Sequence, residues 1–338
     1  MKAIIYRDRG GPEVLQYVDR APPVPGPGEV RVRVAVSGVN PADRQARSGT
    51  GPAAYPEVTP HLDGAGVIDA VGDGVDPSRT GQRVWVFLAA AGRPTGTAAE
   101  FTVVPAGQAV PLPDEVGFDA GAALGVPALT AHRALTVAED GPRRLHPGAL
   151  AGTVVLAAGG AGAVGHAVIQ LARWAGATVI GTVSGPEKAR LASAAGAHHV
   201  VSYRNGDPAA EIRRLAPDGV DIVTEVALGA NLALDLAVLR TRGTISAYAN
   251  DGGEPVELDV RQNMVLNTRF QFLVLYTAGP EVRAAAAEDV AAAVRDGALP
   301  VGEEHGLPLL RFPLGRTADA HRAVEGGAVG KVLVDVPG

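Results

Sequence analysis

The segment VVLAAGGAGAVG, Val154 to Gly165, ends an apolar run in a glycine-rich turn and holds GxGxxG at Gly160, Gly162 and Gly165. A helical pattern, His166 to Ala175, follows directly. Strand, turn and helix in that order make a seat for a pyrophosphate. Gly160 permits the tight turn, Gly162 lets the backbone approach the anion, and Gly165 lets helix and strand pack closely. Unpaired N–H groups and the positive dipole end at the helix start complete the anion site. The ligand this predicts is a nicotinamide dinucleotide. Its type is decided at the end of the next strand, where an NAD enzyme needs an acid for the ribose 2′-hydroxyl. Ser184 and Gly185 stand there instead, and Lys188 follows as a point charge for a 2′-phosphate. Tyr203, closing the third strand, is placed to reach the same phosphate or the adenine. NADPH is therefore the expected cofactor.

Other chemistry has little to work with. Zero cysteines exclude disulfides, thiol nucleophiles and thiolate metal sites. His61 and Asp63 could begin a metal site, but no third ligand follows at matching spacing, so no metal is predicted and His61 is expected in a turn or lining a cleft. There is no GxSxG elbow, and GGAVGKV at 326–332 lacks the spacing and hydroxyl residue of a Walker loop.

The elements that must position these groups fall into two halves. With 338 residues the chain exceeds one ordinary core, which predicts two domains. Hydrophobic residues make up 46% and charged residues 20%, a globular balance. Up to about Pro113 the sequence reads as short strands with turn signals. Glu29 to Val36 alternates with period two, and Gly66 to Val71, Arg83 to Phe87 and Glu100 to Val104 follow between Gly and Pro clusters. From about Val126 apolar runs alternate with Ala-rich helical stretches, the pattern of βαβ units in a doubly wound parallel sheet. The runs are Thr153 to Ala157, Thr178 to Val183, His199 to Tyr203, Val220 to Val226, Thr244 to Tyr248 and Phe270 to Tyr276. Helices over Glu281 to Asp296 and Thr317 to Glu325 and a strand over Lys331 to Val336 close the chain. A net charge of -6 gives no basic field for a nucleic acid. No stretch approaches the roughly 20 apolar residues of a membrane span, so a cytoplasmic protein is expected.

The chain as a whole resembles the zinc-independent quinone oxidoreductase (zeta-crystallin-like) branch of the medium-chain dehydrogenase/reductase superfamily. The resemblance runs through GGPEVL, GVNPAD, RSGT, GAGVIDAVGDGV, GQRV and GVPALTAHRAL, then the glycine turn, GTVSGPEKARLASAAGAHHVVSY, GVDIVTEV and GKVLVDV. It implies an α/β protein with a mainly β GroES-like catalytic domain from 1–125 and 277–338, and a Rossmann domain from 126–276 with NADPH in the cleft. By this resemblance Gly162, Ala163 and Val164 match the pyrophosphate turn, and Ser184, Lys188 and Tyr203 the 2′-phosphate surroundings. Asn231, Tyr248, Ala249, Leu273 and Leu275 match positions lining adenosine, ribose or nicotinamide. Asn40, Pro127, Thr130 and Lys331 match residues near the nicotinamide end or closing the cleft. Leu273 and Leu275 would equally be strand core, and Thr130 could bond its own helix backbone. Relatives place tyrosines where this chain has Gln45, beside the nicotinamide, and Gly51, near the cleft, and Tyr55 could partly replace them. A homodimer is implied, with Phe270 to Tyr276 as the pairing edge.

Zinc members of the superfamily carry a ligand cysteine where this chain has Asn40, and the loop of four structural cysteines is missing between Val86 and Glu100. Without a Lewis acid, the charge left by hydride addition is best borne by a conjugated acceptor, a quinone or enone, which delocalises it. Asn40 is expected as a polar group by the nicotinamide or substrate, with Asp43 as its neighbour and a catalytic candidate. Asp43 could instead form a helical ion pair with Arg47. Three readings stand: an NADPH-dependent quinone oxidoreductase, a reductase of enone or alkenal double bonds, and a non-catalytic NADPH-binding structural or RNA-associated protein.

Overall fold

The computed structural model describes every residue except 50–52, 252, 254 and 338. Gly51 thus lies outside the described residues. The chain divides into two compact units, Met1–Val126 with Leu309–Gly338, and Pro127–Pro308.

The first unit opens with the antiparallel pair β1 (Lys2–Ile5) and β2 (Gln16–Asp19). β3 (Glu29–Val39) then buries Val30, Val32, Val34 and Val36 while its arginines face outward, as the period-two pattern requires. It runs three residues further than the alternation predicted. Helix α1 (Pro41–Arg47) follows, then the antiparallel strands β4 (Asp63–Val71), β5 (Arg83–Val86), β6 (Phe101–Pro105) and β7 (Ala109–Pro111). β6 pairs with the amino-terminal half of β3, Glu29 to Arg33. Helix α2 (Phe118–Leu135) leaves helical geometry at Gly125, with φ -9° and ψ -108°. A Cβ at Gly125 would fall 2.0 Å from Asp63 Oδ1.

The second unit contains β8 (Val154–Ala158), α3 (Ala163–Trp174), β9 (Thr178–Val183), α4 (Pro186–Ala194), β10 (His199–Ser202), α5 (Pro208–Leu215), β11 (Val220–Glu225), α6 (Leu228–Val238), β12 (Leu239–Ala247), α7 (Val260–Leu266), β13 (Arg269–Phe272) and α8 (Pro280–Arg295). Its strands lie parallel in the order β10-β9-β8-β11-β12-β13, which places the turn of direction between β8 and β11. Ligands of such sheets bind at the carboxyl ends of the strands beside that point. The run expected over Phe270 to Tyr276 stops as a strand at Phe272. Leu273 N–H bonds Ala247 O at 2.9 Å, at the end of β12, and the chain then tightens into a 3₁₀ turn at Leu275–Thr277.

The boundary expected at 276/277 also moves. α8 stays with the second unit, because Asp289 takes His132 Nε2 at 2.8 Å and Arg144 Nε at 2.8 Å. The segment after α8 stays too, with His166 on α3 bonded to His305 O and Gln170 to Pro300 O, both 2.9 Å.

The chain then re-enters the first unit as β14 (Leu309–Pro313), α9 (Thr317–Glu325) and β15 (Lys331–Asp335), with β15 antiparallel to β3. α9 buries Thr317, Ala320 and His321 along one stripe. His321 completes a buried chain of hydrogen bonds. Arg47 Nε–H donates to His321 Nδ1 at 3.3 Å, and the Nε2 atoms of His321 and His61 meet at 3.0 Å. His61 Nδ1 lies 2.8 Å from Ser37 Oγ, which lies 2.7 Å from Thr97 Oγ1, and Thr97 donates to Asp63 O at 2.5 Å. A guanidinium can only donate and a carbonyl can only accept, so both ends assign the same protons. Both imidazoles are neutral, His321 with its proton on Nε2 and His61 on Nδ1. Burial first, then the Arg47 charge, holds His321 down to about 3, and burial above all holds His61 well below the ordinary histidine value.

Candidate functional site

Gly159 adopts φ +65° at the end of β8, and Gly162 N–H bonds Gly159 O at 2.9 Å. The tight turn therefore belongs to Gly159, which the motif reading missed, and not to Gly160. Gly160 serves packing: a Cβ there would meet Ile169 at 3.2 Å and Ala192 at 3.4 Å. At Gly165 a Cβ would stand 2.3 Å from Gly159 O, so only glycine lets α3 start this close to the turn. No side chain caps α3 at Gly162, which leaves the first N–H groups, at Ala163 and Val164, free for an anion. The close cradle fits a pyrophosphate.

β9 runs beside this turn, with Gly160 N–H bonded to Thr182 O at 3.1 Å. It ends at Ser184 and Gly185, and α4 places Lys188 in its first turn. Tyr203 N–H bonds Val183 O at 3.1 Å, which sets the 41% exposed Tyr203 ring at the same strand end. Arg204, exposed and adjacent, is a further cation here that the sequence reading passed over. Glu187, the nearest acid in sequence, is exposed on α4.

Across the sheet, β11 ends in Glu225, which is fully buried. One carboxylate oxygen accepts from Ala227 N–H and from Asn231 Nδ2, the latter at 3.0 Å, so Asn231 holds Glu225 and pins the start of α6. Burial first, then Glu225, push the carboxyl of buried Asp235 far above its usual range. Tyr248, Ala249 and Leu273 come together in a largely apolar cavity of about 360 Å³, with Leu228, Val256 and Phe272. Burial and the Glu225 and Asp251 charges raise the Tyr248 hydroxyl, keeping it protonated at neutral pH. Leu275 is buried behind that lining. Pro127 and Thr130 are buried on α2.

The remaining candidates lie in the first unit. Asn40, between β3 and α1, is only 3% exposed. Its Oδ1 accepts from Lys331 Nζ and its Nδ2 donates to Asp63 Oδ2, both at 2.7 Å, while Lys331 Nζ lies 3.6 Å from the same carboxylate. Asp63 Oδ1 takes Val126 N–H at 2.9 Å. Gly38 makes room for Lys331, since a Cβ there would come within 3.1 Å of Lys331 Cε. Asp43 faces inward, accepting Asn40 N–H at 2.7 Å and Leu62 N–H at 3.0 Å. Burial, then the Asp63 charge, push Asp43 up to about 7, against those N–H groups and Lys331. Arg47 turns to Gly10 O, His321 and Glu325, so the helical pair with Asp43 does not form. Gln45 is exposed on α1, and Tyr55 Oη donates to Gly92 O at 2.5 Å.

A zinc ion does not fit this donor set. Both His61 nitrogens are engaged by Ser37 and His321, and Asn40 and Asp63 are spent on each other and on Lys331. His61 is also fully buried, at φ +82°, and lines no cleft.

The alcohol dehydrogenase GroES-like domain family matches residues 26–114, and the zinc-binding dehydrogenase family matches residues 163–292. The quinone oxidoreductase of Lama guanicoe is 34% identical over 99% of this chain and 97% of its own. Among solved structures, quinone oxidoreductase of Pseudomonas syringae pv. Tomato DC3000 is 29% identical, with a TM-score of 0.81 over 99% of each chain. Escherichia coli quinone oxidoreductase complexed with NADPH is 26% identical, with a TM-score of 0.80 over 99% of this chain and 100% of that one.

Proposed function

Because the chain belongs to the quinone oxidoreductase branch of the medium-chain dehydrogenase/reductase superfamily, we propose that it is an NADPH-dependent oxidoreductase that reduces a quinone or a similar conjugated carbonyl compound without a metal. The observation that carries this reading is Asn40. It occupies the position that zinc members fill with cysteine, and its amide is committed to Lys331 and Asp63.

The cofactor's place is the turn from Gly159 to Gly165, with its pyrophosphate on the free N–H groups of α3. Ser184, Lys188 and Tyr203, joined by Arg204, take the 2′-phosphate, and Lys188 supplies a positive charge for that phosphate where an NAD enzyme's acid would repel it. Ala249 and Leu273 give the apolar wall of the cavity, and Tyr248 offers it a protonated hydroxyl. Bound there, the cofactor supplies hydride from nicotinamide C4. The protein's own work is placement and exclusion of water. Asp43 and Lys331 are positioning residues in this reading: their polar atoms hold the β3–α1 corner and Asp63 rather than a proton for substrate. A conjugated acceptor suits such a site because its charge is spread as it forms.

The test is NADPH consumption by the purified protein with 1,2- and 1,4-quinones beside a panel of enones. Oxidation with quinones is expected. Turnover of enones alone would transfer the protein to double-bond reduction, and cofactor binding with no turnover of any acceptor would refute the enzyme reading.

Self-association through β13 belongs to the same proposal. Phe272 is 65% exposed on this edge strand, with Val274 and Tyr276 beside it and Val260, Met264 and Val265 exposed on α7. An exposed apolar sheet edge of this kind is covered by its own copy across a two-fold axis. Cytoplasmic residence is likewise proposed; among the described residues no helix is long and apolar enough to cross a membrane.

A further inference from the structure

A second cavity of about 480 Å³ lies in the second unit, away from the glycine turn, between the end of α2, the loop after it, β13 and the first turn of α8. Four arginines line it: Arg133, Arg143, Arg144 and Arg269. Two are committed. Arg144 clasps Asp289 and Glu288, and Arg269 donates to Val137 O at 3.3 Å with Glu139 at 3.8 Å. The guanidinium groups of Arg133 and Arg143 have no hydrogen-bond or ion-pair partner among the described residues. Arg133 is half-buried, and burial alone lowers its pKa, with no acid offsetting it. A cation left so in a concave site costs desolvation that only an anion recovers.

His132 supplies a second, independent observation. It is 2% exposed and lines the same cavity, yet its Nδ1 has no partner. Its other nitrogen lies 2.8 Å from Asp289 Oδ2. Asp289 is held at about 2 although burial opposes this, because His132, Arg144 and the Leu145 N–H all bond it. An ionised carboxylate only accepts, so His132 carries a proton on Nε2, and its buried Nδ1 is left without a partner. The site thus presents two uncommitted guanidiniums for an anion and one buried, unpartnered ring nitrogen for a hydroxyl. The negative end of α2 works against an anion here, but the uncapped first turn of α8 works for it, and the two cations decide the sign.

We propose that this cavity binds a phosphorylated polyol, with the phosphate on Arg133 and Arg143 and a ligand hydroxyl hydrogen-bonded to His132 Nδ1. The volume exceeds that of a bare phosphate, which leaves room for a sugar carrying it. The exposed Glu139 and Glu281 that also line the cavity disfavour larger polyanions.

The test is calorimetric titration of the full-length protein with ribose 5-phosphate, with ribose and with sulfate, each in the presence of saturating NADPH. Ribose 5-phosphate should bind saturably, at least about tenfold tighter than ribose or sulfate. Arg143→Gln, an exposed position, should weaken it at least about tenfold while leaving NADPH affinity and the melting temperature unchanged. His132→Phe should bring ribose 5-phosphate down to the level of sulfate. Absence of saturable binding, binding unaltered by Arg143→Gln, or displacement of NADPH by ribose 5-phosphate would each overturn the assignment.

Discussion

Replacing His321 by Gln should change how stability depends on pH more than it changes stability at neutrality. Gln can still donate to His61 Nε2 but cannot titrate. The native ring holds at about 3 against an unfolded value of 6.5. Between these values the unfolded chain binds a proton that the folded protein refuses, so this histidine's contribution is complete above pH 6.5 and is lost as pH falls toward 3. At about 1.4 kcal/mol per pH unit the loss reaches roughly 5 kcal/mol across the window. Asp43 acts with the opposite sign. Its carboxyl is raised from 3.8 to about 7, so it weakens the fold as pH rises through that interval. The two slopes oppose each other in the native protein, so its own pH profile isolates neither group. The difference between native protein and variant removes Asp43 from the comparison. At neutral pH the substitution should cost about 1–3 kcal/mol for the lost bond with Arg47. The gap should close by about 1.4 kcal/mol per unit on acidification and reverse near pH 5. Trp85 is fully buried in the first unit and Trp174 lies in the second, so urea melts in a Trp174→Phe background follow the relevant unit by fluorescence. Parallel curves for native protein and variant from pH 4 to 7 would refute the neutral-pair account.

Lys188→Ala should weaken NADPH by about tenfold or more and leave NADH within about twofold, as measured by fluorescence titration; equal losses would remove Lys188 from the phosphate site. Gly165→Ala drives a methyl toward Gly159 O at 2.3 Å, so it should cost about 1–3 kcal/mol in denaturant melts and abolish most NADPH affinity. Lys331→Met leaves Asp63 buried without its cation and should cost about 3–5 kcal/mol, part of which Asp63→Asn in the same chain restores; additive losses would contradict the pairing. Phe272→Asp should convert a dimer to a monomer in light scattering behind gel filtration, and an unchanged mass would place the interface elsewhere.

The sheet of the second unit was readable because each of its strands is a local apolar run between glycines or helical stretches, and α3 announces itself through the motif before it. What escaped reading depends on partners far away in the chain. The glycine spacing cannot say which residue takes the left-handed backbone, and that fell to Gly159. Asn40 and Asp43 were singled out as chemistry, yet Lys331 lies 291 residues from Asn40, and only folding reveals that these groups satisfy one another. The pairing of His61 with His321, 260 residues apart, has no local signature at all. The strand expected to reach Tyr276 stopped early for a reason equally non-local, the end of its neighbour β12.

The first unit is drawn from both ends of the chain, and this has a consequence for its birth on the ribosome. At about 5–20 residues per second, roughly 15–60 s pass between synthesis of β3 and that of β15. During this time the edge of β3 that β15 will cover stays open, and Asp43 and Asp63 wait without Lys331. The second unit, being continuous, can fold within the interval. The amino-terminal part of the first unit therefore completes its sheet only once β15 has emerged to pair with β3.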